Sequence, residues 1–225
     1  MLASKRFLVI LGLIVLMVGS SAPRVGASAF FPAEPGRANP EELDFSKLET
    51  GDVILRKGRS FVSELITMGL GSEVSHCGVI LQSEGNWKVL HIISGRISND
   101  NCIRLDPLED FISEGLPGSI YHVKPVKRPS SRLIERESLR LLQSKVSFDH
   151  DFDLGSDREL YCSELVRDIY LRSGSEDTFI YKTVGGKALI DLQSFFDKRY
   201  YSVYQKLQFA CIRRPIKSSE CFPMV

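Results

Sequence analysis

The sequence predicts an α+β domain with a mostly antiparallel sheet packed against helices, and three features carry that expectation. Two apolar runs, Val74 to Leu81 and Trp87 to Ile93, flank the tetrapeptide Ser83-Glu-Gly-Asn86 and read as a β-hairpin. Further β-branched runs lie at Gly51–Leu55, Ser119–Val126 and Tyr201–Ile212. The strands gather early in the chain and the helical patterns are interspersed among them.

Gly51-Asp-Val-Ile-Leu55 follows a turn signal and is the expected first strand. Ser60 is placed to cap a helix with Phe61, Leu65 and Met68 on one face, closed by Gly69 or Gly71. Asp106-Pro107 opens a short helix through Phe111, with Asp as cap and Pro at the first helical position. Ser130 or Ser131 starts a helix reaching about Lys145. A loop, Ser147-Phe-Asp-His-Asp-Phe-Asp153, leads to a helix over Tyr161–Leu171. There Leu165, Val166, Ile169 and Tyr170 form one apolar stripe, and Gly174 ends it. Asp191 begins a last short helix, and the closing strands follow.

The N-terminus has the pattern of a secretory signal: Lys5 and Arg6, an apolar run from Phe7 to Val18, then small residues around Ala27-Ser-Ala29. The run is shorter than the ~20 residues that span a bilayer, so cleavage is expected in preference to an uncleaved anchor. The expected organisation is a signal peptide over 1–29, a Pro-rich linker over 30–43 and one domain over 44–225. The protein is then exported, periplasmic or extracellular. Formal net charge is +1 and becomes −2 once Lys5, Arg6 and Arg24 leave with the signal. That balance gives no basic footprint for nucleic acid. Five cysteines in an oxidising compartment leave at least one thiol unpaired, with Cys102, Cys211 and Cys221 free to pair among themselves.

Cys162 falls in the first turn of a predicted amphipathic helix. A thiol there meets the positive end of the helix dipole, which favours the thiolate. Unpaired N–H groups of the same turn can receive an oxyanion. The bland alternative is a buried structural cysteine. A base comes from the hairpin. With Glu84-Gly85 at its centre, His76 lies opposite Ile93 and His91 opposite Gly78, so both imidazoles share one face. A slip of one residue would separate them. His76 is the candidate base and His91 the group that orients it. A metal held by His76, His91 and a cysteine is set aside, since no ligand pair of metal spacing supports it, and no cofactor is expected. Cys77 points away from His76 into the core. His122 and His150 have no assigned partner and are given surface or structural roles.

Four segments occur in a telling order: Gly51-Asp-Val-Ile-Leu55, Ser75-His-Cys-Gly-Val-Ile80, Ser147-Phe-Asp-His-Asp-Phe152 and Tyr161-Cys-Ser-Glu-Leu-Val166. In these the chain resembles the YiiX/YebB-like family of circularly permuted NlpC-type cysteine amidases, from about Asp44 to Ile212. The resemblance implies a permuted papain-like fold, a nucleophile at Cys162, a base at His76 and the third polar group at His91. Many relatives carry glutamate at that third place, so His91→Glu is expected to retain activity. Histidine there is similar to the lecithin:retinol acyltransferase relatives. The implied activity is hydrolysis of an amide in a cell-envelope peptide or acylated amine through a thioacyl-enzyme. Lipid acyl transfer or thioester hydrolysis at the same Cys–His–His set is the alternative, with peripheral membrane contact, and an inactive binding module is the third.

Overall fold

The computed structural model describes residues 36–94, 102–156, 158–208 and 210–211, so the expected signal segment lies outside the described residues. The centre is a six-stranded antiparallel sheet. Its strands are β1 (Val53–Arg56), β2 (His76–Ser83), β3 (Asn86–Ile93), β4 (Cys102–Pro107), β5 (Ile120–Pro125) and β6 (Tyr201–Leu207). Their spatial order is β6-β5-β1-β2-β3-β4. Among the described residues four α-helices accompany them: α1 (Phe61–Leu70), α2 (Leu108–Ser113), α3 (Ser131–Leu142) and α4 (Cys162–Arg172).

Both faces of the sheet are covered, which explains why Val53, Ile54 and Leu55 form an unbroken apolar run rather than an alternation. Val53, Leu55, Cys77, Val79, Leu90 and Ile92 pack in one core with Ile134 and Leu141 of α3 and Leu165, Val166 and Ile169 of α4. Ile54, Ile80 and Val89 point the other way, onto Leu108, Phe111 and Ile112 of α2. The α4 stripe is the one expected, and Gly174 ends the helix with φ of +88°.

The β2–β3 register is also the expected one, pairing Val79 with Leu90, Gln82 with Trp87 and Ser83 with Asn86. Glu84 and Gly85 both take positive φ (53° and 77°), the requirement of a two-residue type I′ turn. That turn fixes the register on which the histidine geometry depends.

Three expectations are corrected. Residues 36–43, the later part of the expected linker, are packed. Arg37–Ala38 pairs with Ala210–Cys211, and Ala38 and Leu43 are buried in the second core. In α1 the cap is Ser60 as expected, but Phe61 and Met68 face solvent while Ser63 and Thr67 are buried. The helix lays its small polar edge on Gly58, where an added Cβ would stand 2.4 Å from Ser63 Oγ, and this close approach overrides the apolar stripe. Finally, Asp106 caps no helix. It belongs to β4, and Pro107 takes the cap position of α2 without a side-chain bond.

Candidate active site

Cys162 is the first residue of α4, and the surrounding loops hold that helix start in place. A carboxyl oxygen of Glu164 accepts from the Tyr161 N–H (3.4 Å), the reaching-back half of a capping box. The Tyr161 hydroxyl accepts from Ile190 N–H (2.8 Å), and the Ser163 hydroxyl donates to the Ile190 carbonyl (3.2 Å). Ile190 ends a hairpin, Tyr181–Val184 with Lys187–Ile190, that the sequence analysis did not anticipate. Upstream, buried Asp149 accepts from the N–H groups of Asp151, Phe152 and Asp153, tying the loop whose Phe152 ring packs 5.2 Å from Tyr161.

The hairpin brings His76 and His91 to one face. His76 Nε2 lies 2.9 Å from His91 Nδ1, and the ring centroids are 5.1 Å apart. Gly78 makes this possible. A Cβ there would come within 2.4 Å of Val89 Cγ1, 2.8 Å of the Leu90 carbonyl oxygen and 3.0 Å of His91 Cβ. The glycine of the Ser-His-Cys-Gly segment therefore lets β3 approach closely enough for Val89 and His91 to sit over it. Phe111 of α2 closes over the pair, with its ring stacked 5.6 Å from His76 and edge-on 5.2 Å from His91. Arg56, paired in register with His76, lies with its guanidinium 4.1 Å from the centre of the Phe111 ring and is ion-paired to Glu114.

This enclosure sets the electrostatics. Burial pushes the His76 pKa down to about 4, and the Arg56 and His91 fields act in the same direction while Cys162 opposes them. Burial also lowers His91, against the pull of Asp106. The Cys162 thiol is drawn well below its ordinary value by hydrogen bonding with Cys77 and then with His76, which together outweigh its own burial. Burial, followed by the hydrogen bond to Cys162 and then its charge, pushes Cys77 up, so Cys77 remains the protonated donor of the pair. A thiol poised to ionise, beside a neutral imidazole and a helix N-terminus, can attack an acyl carbonyl and shuttle the proton involved.

Cys162, His76 and His91 are thus brought together as expected. Cys77 does point into the core, away from His76, yet it meets Cys162 from that side because α4 packs on that face. The residue missed by sequence reasoning is Asp106. Its Oδ2 lies 3.0 Å from His91 Nε2, and Arg104 donates to the same carboxylate through Nε (3.1 Å) and Nη2 (2.9 Å). A glutamate in place of His91 would meet this carboxylate, so the expected tolerance of His91→Glu is withdrawn. His122 is fully buried and structural, bonded to Asp52 (2.7 Å) and Gln205 (3.0 Å). His150 stays partly exposed against Phe148.

A family model described as permuted papain-like amidase enzyme, YaeF/YiiX, C92 family, matches residues 47–206. Among solved structures, the chain is similar to the crystal structure of metalloprotein YiiX from Escherichia coli O157:H7. The TM-score is 0.61 with 18% sequence identity, over 71% of this chain and 98% of that one, a likeness that shows the fold. Among curated proteins none matches. The donors around Cys162 do not converge on a metal. His76 Nε2 and His91 Nδ1 point at one another, and His91 Nε2 points at Asp106. Among the described residues no group of three or more His, Cys, Asp and Glu side chains is placed to hold an ion.

Proposed function

Because the chain belongs to the permuted papain-like amidases of the YaeF/YiiX family, we propose that it is an exported thiol hydrolase cleaving amide bonds in a cell-envelope peptide or acylated amine. The observation that carries this reading is the Cys162 thiol at the start of α4, lowered in pKa beside the linked pair His76–His91. His76 Nε2 is engaged with His91, which leaves Nδ1 for Cys162. In the first step His76 takes the Cys162 proton and the sulfur bonds to the substrate carbonyl carbon, while the N–H groups of the first α4 turn receive the oxyanion. Collapse breaks the C–N bond, and His76 returns the proton to the leaving amine. A water molecule, deprotonated by His76, then attacks the thioester, releasing the acid and restoring the thiol.

Export rests on the N-terminal pattern of Lys5, Arg6 and the apolar run, and it is supported by the disulfide at Cys102, since such bonds persist in oxidising compartments. The free thiols among the described residues are Cys77 and Cys162, as the chemistry requires. The reading is tested by hydrolysis of a panel of dipeptide amides and N-acyl amines by the mature protein. Wild-type turnover that Cys162→Ala abolishes, and that His76→Ala lowers by ~10²–10⁴-fold, is expected. Unchanged turnover in folded Cys162→Ala would overturn it.

A further inference from the structure

We propose that Asp106 is a positioning residue that, acting through His91, selects the tautomer of His76 and so turns its unprotonated nitrogen toward Cys162. The inference deepens the thiol-hydrolase reading and rests on it for the roles of Cys162 and His76. It is drawn from the direction of each bond in the chain. The Asp106 side chain is 5% exposed, and Arg104 donates to Oδ1 through Nε and Nη2 and lies 2.8 Å from Oδ2 through Nη2. A guanidinium only donates, so the paired carboxylate is an acceptor at both oxygens. The nitrogen 3.0 Å from Oδ2, His91 Nε2, must then carry the proton. With burial keeping His91 neutral, its Nδ1 holds a lone pair, and the 2.9 Å contact to His76 Nε2 is satisfied only if His76 donates. His76 Nδ1 is left with its lone pair facing Cys162. Reversing any one bond would leave a buried donor facing a donor, or an acceptor facing an acceptor, at a cost of ~1–3 kcal/mol.

β-Pairing builds the arrangement. His91 lies opposite Arg104 and Val89 opposite Asp106, so His91, Arg104 and Asp106 share the face on which His76 stands. Among the described residues, the charged and titratable groups acting on the two rings are Arg56 from β1, Arg104 and Asp106 from β4 and Cys162 from α4, while the α2 side adds Asp110, which faces Asp106, and Glu114, which is paired to Arg56. Of these acids Asp106 is the one bonded to a ring nitrogen. In Asp106→Asn the amide can donate to His91 Nε2, which favours a proton on His91 Nδ1 and forces His76 to protonate at Nδ1. The imidazole then offers Cys162 a donor in place of an acceptor.

The test uses the mature protein labelled with ¹⁵N at histidine, together with the pH profile of Cys162 alkylation by iodoacetamide, read by peptide mass spectrometry. At pH 7 the wild-type spectrum should show both His76 and His91 neutral and protonated at Nε2. Asp106→Asn should shift His91 toward the Nδ1-protonated form. It should also lower the alkylation midpoint by about one pH unit, because an N–H aimed at the sulfur stabilises the thiolate, a ~10-fold faster reaction on the acidic limb. In a His91→Gln background the glutamine carbonyl accepts from His76 whatever stands at 106, so adding Asp106→Asn should change the rate by less than about twofold. A wild-type His91 protonated at Nδ1 would overturn the proposal without any substitution. So would an unchanged tautomer and alkylation profile in Asp106→Asn that melts like wild type, or an equal change in both backgrounds, which marks a purely structural role. The two readings fail separately, because a different reactive thiol would sink the role of Cys162 while the ring nitrogens still report on Asp106.

Discussion

Gly78→Ala should disable the site from the hairpin, without touching any reacting atom. The new Cβ would sit 2.8 Å from the Leu90 carbonyl oxygen, about 0.6 Å short of ordinary contact, and 2.4 Å from Val89 Cγ1. A valine methyl can rotate, but a strand carbonyl cannot, so β2 and β3 must part locally by about that distance. The 2.9 Å contact between His76 and His91 then lengthens to roughly 3.5 Å, beyond a normal hydrogen bond. Misplacement on this scale costs ~10- to 100-fold in rate, and overpacking costs ~1–3 kcal/mol in stability. The assay pairs Cys162 alkylation, and turnover on any amide the wild type cleaves, with a thermal melt. Gly69→Ala is the control, since nothing lies within 4 Å of its added Cβ, and it should stabilise α1 by ~0.5–1 kcal/mol. A Gly78→Ala protein with wild-type rate and wild-type melting would refute the argument that this glycine lets β3 approach closely.

The remaining predictions concern titration. His76 must be neutral to act as a base, so the acidic limb of kcat/KM should fall near pH 4 and not near 6.5; a limb at 6.5 would mean the ring is not enclosed as described. The same depressed value makes the unfolded chain the stronger proton binder between the two pKa values. Stability from this group is therefore full above about 6.5 and lost as pH falls through 4, by up to ~3 kcal/mol, as urea melts across that range would read. Cys77→Ala should raise the pH midpoint of Cys162 alkylation by removing the neighbouring thiol donor, and an unchanged midpoint would show that Cys77 only packs. Burial pushes Glu164 up to about 8, so its contribution is present below its unfolded value and lost as pH rises toward 8. Glu164→Gln keeps an oxygen for Tyr161 N–H and should match wild type near pH 5 but be more stable by ~1–3 kcal/mol at pH 9.

What was legible in the sequence was whatever a local rule fixes. The Glu84-Gly85 turn sets the β2–β3 register, and register alone placed His76, His91 and Gly78 on one face. The α4 stripe and its stop at Gly174 follow from helical periodicity. Asp106 was missed because Asp-Pro before an apolar run is a strong helix-start signal, and because the register of β4 on β3 is set by no short turn. Arg104 and Asp106 alternate with Ile103 and Leu105 as an outward polar face would, yet α2 covers that face and turns the two charges inward. The contact of Cys77 with Cys162 depends on how α4 docks, which no strand parity predicts. The buried edge of α1 was missed for a related reason, since a close approach to Gly58 outweighed hydrophobic periodicity.

The central claim is that Cys162 carries the acyl group with His76 as its base. It is tested most directly by mass spectrometry of the mature protein acid-quenched during incubation with cell-envelope extract. The account predicts an acyl adduct on the peptide containing Cys162, absent in Cys162→Ala and strongly reduced in His76→Ala. An adduct on another residue, or turnover of envelope amides with no adduct at Cys162 at any quench time and undiminished in Cys162→Ala, would contradict it.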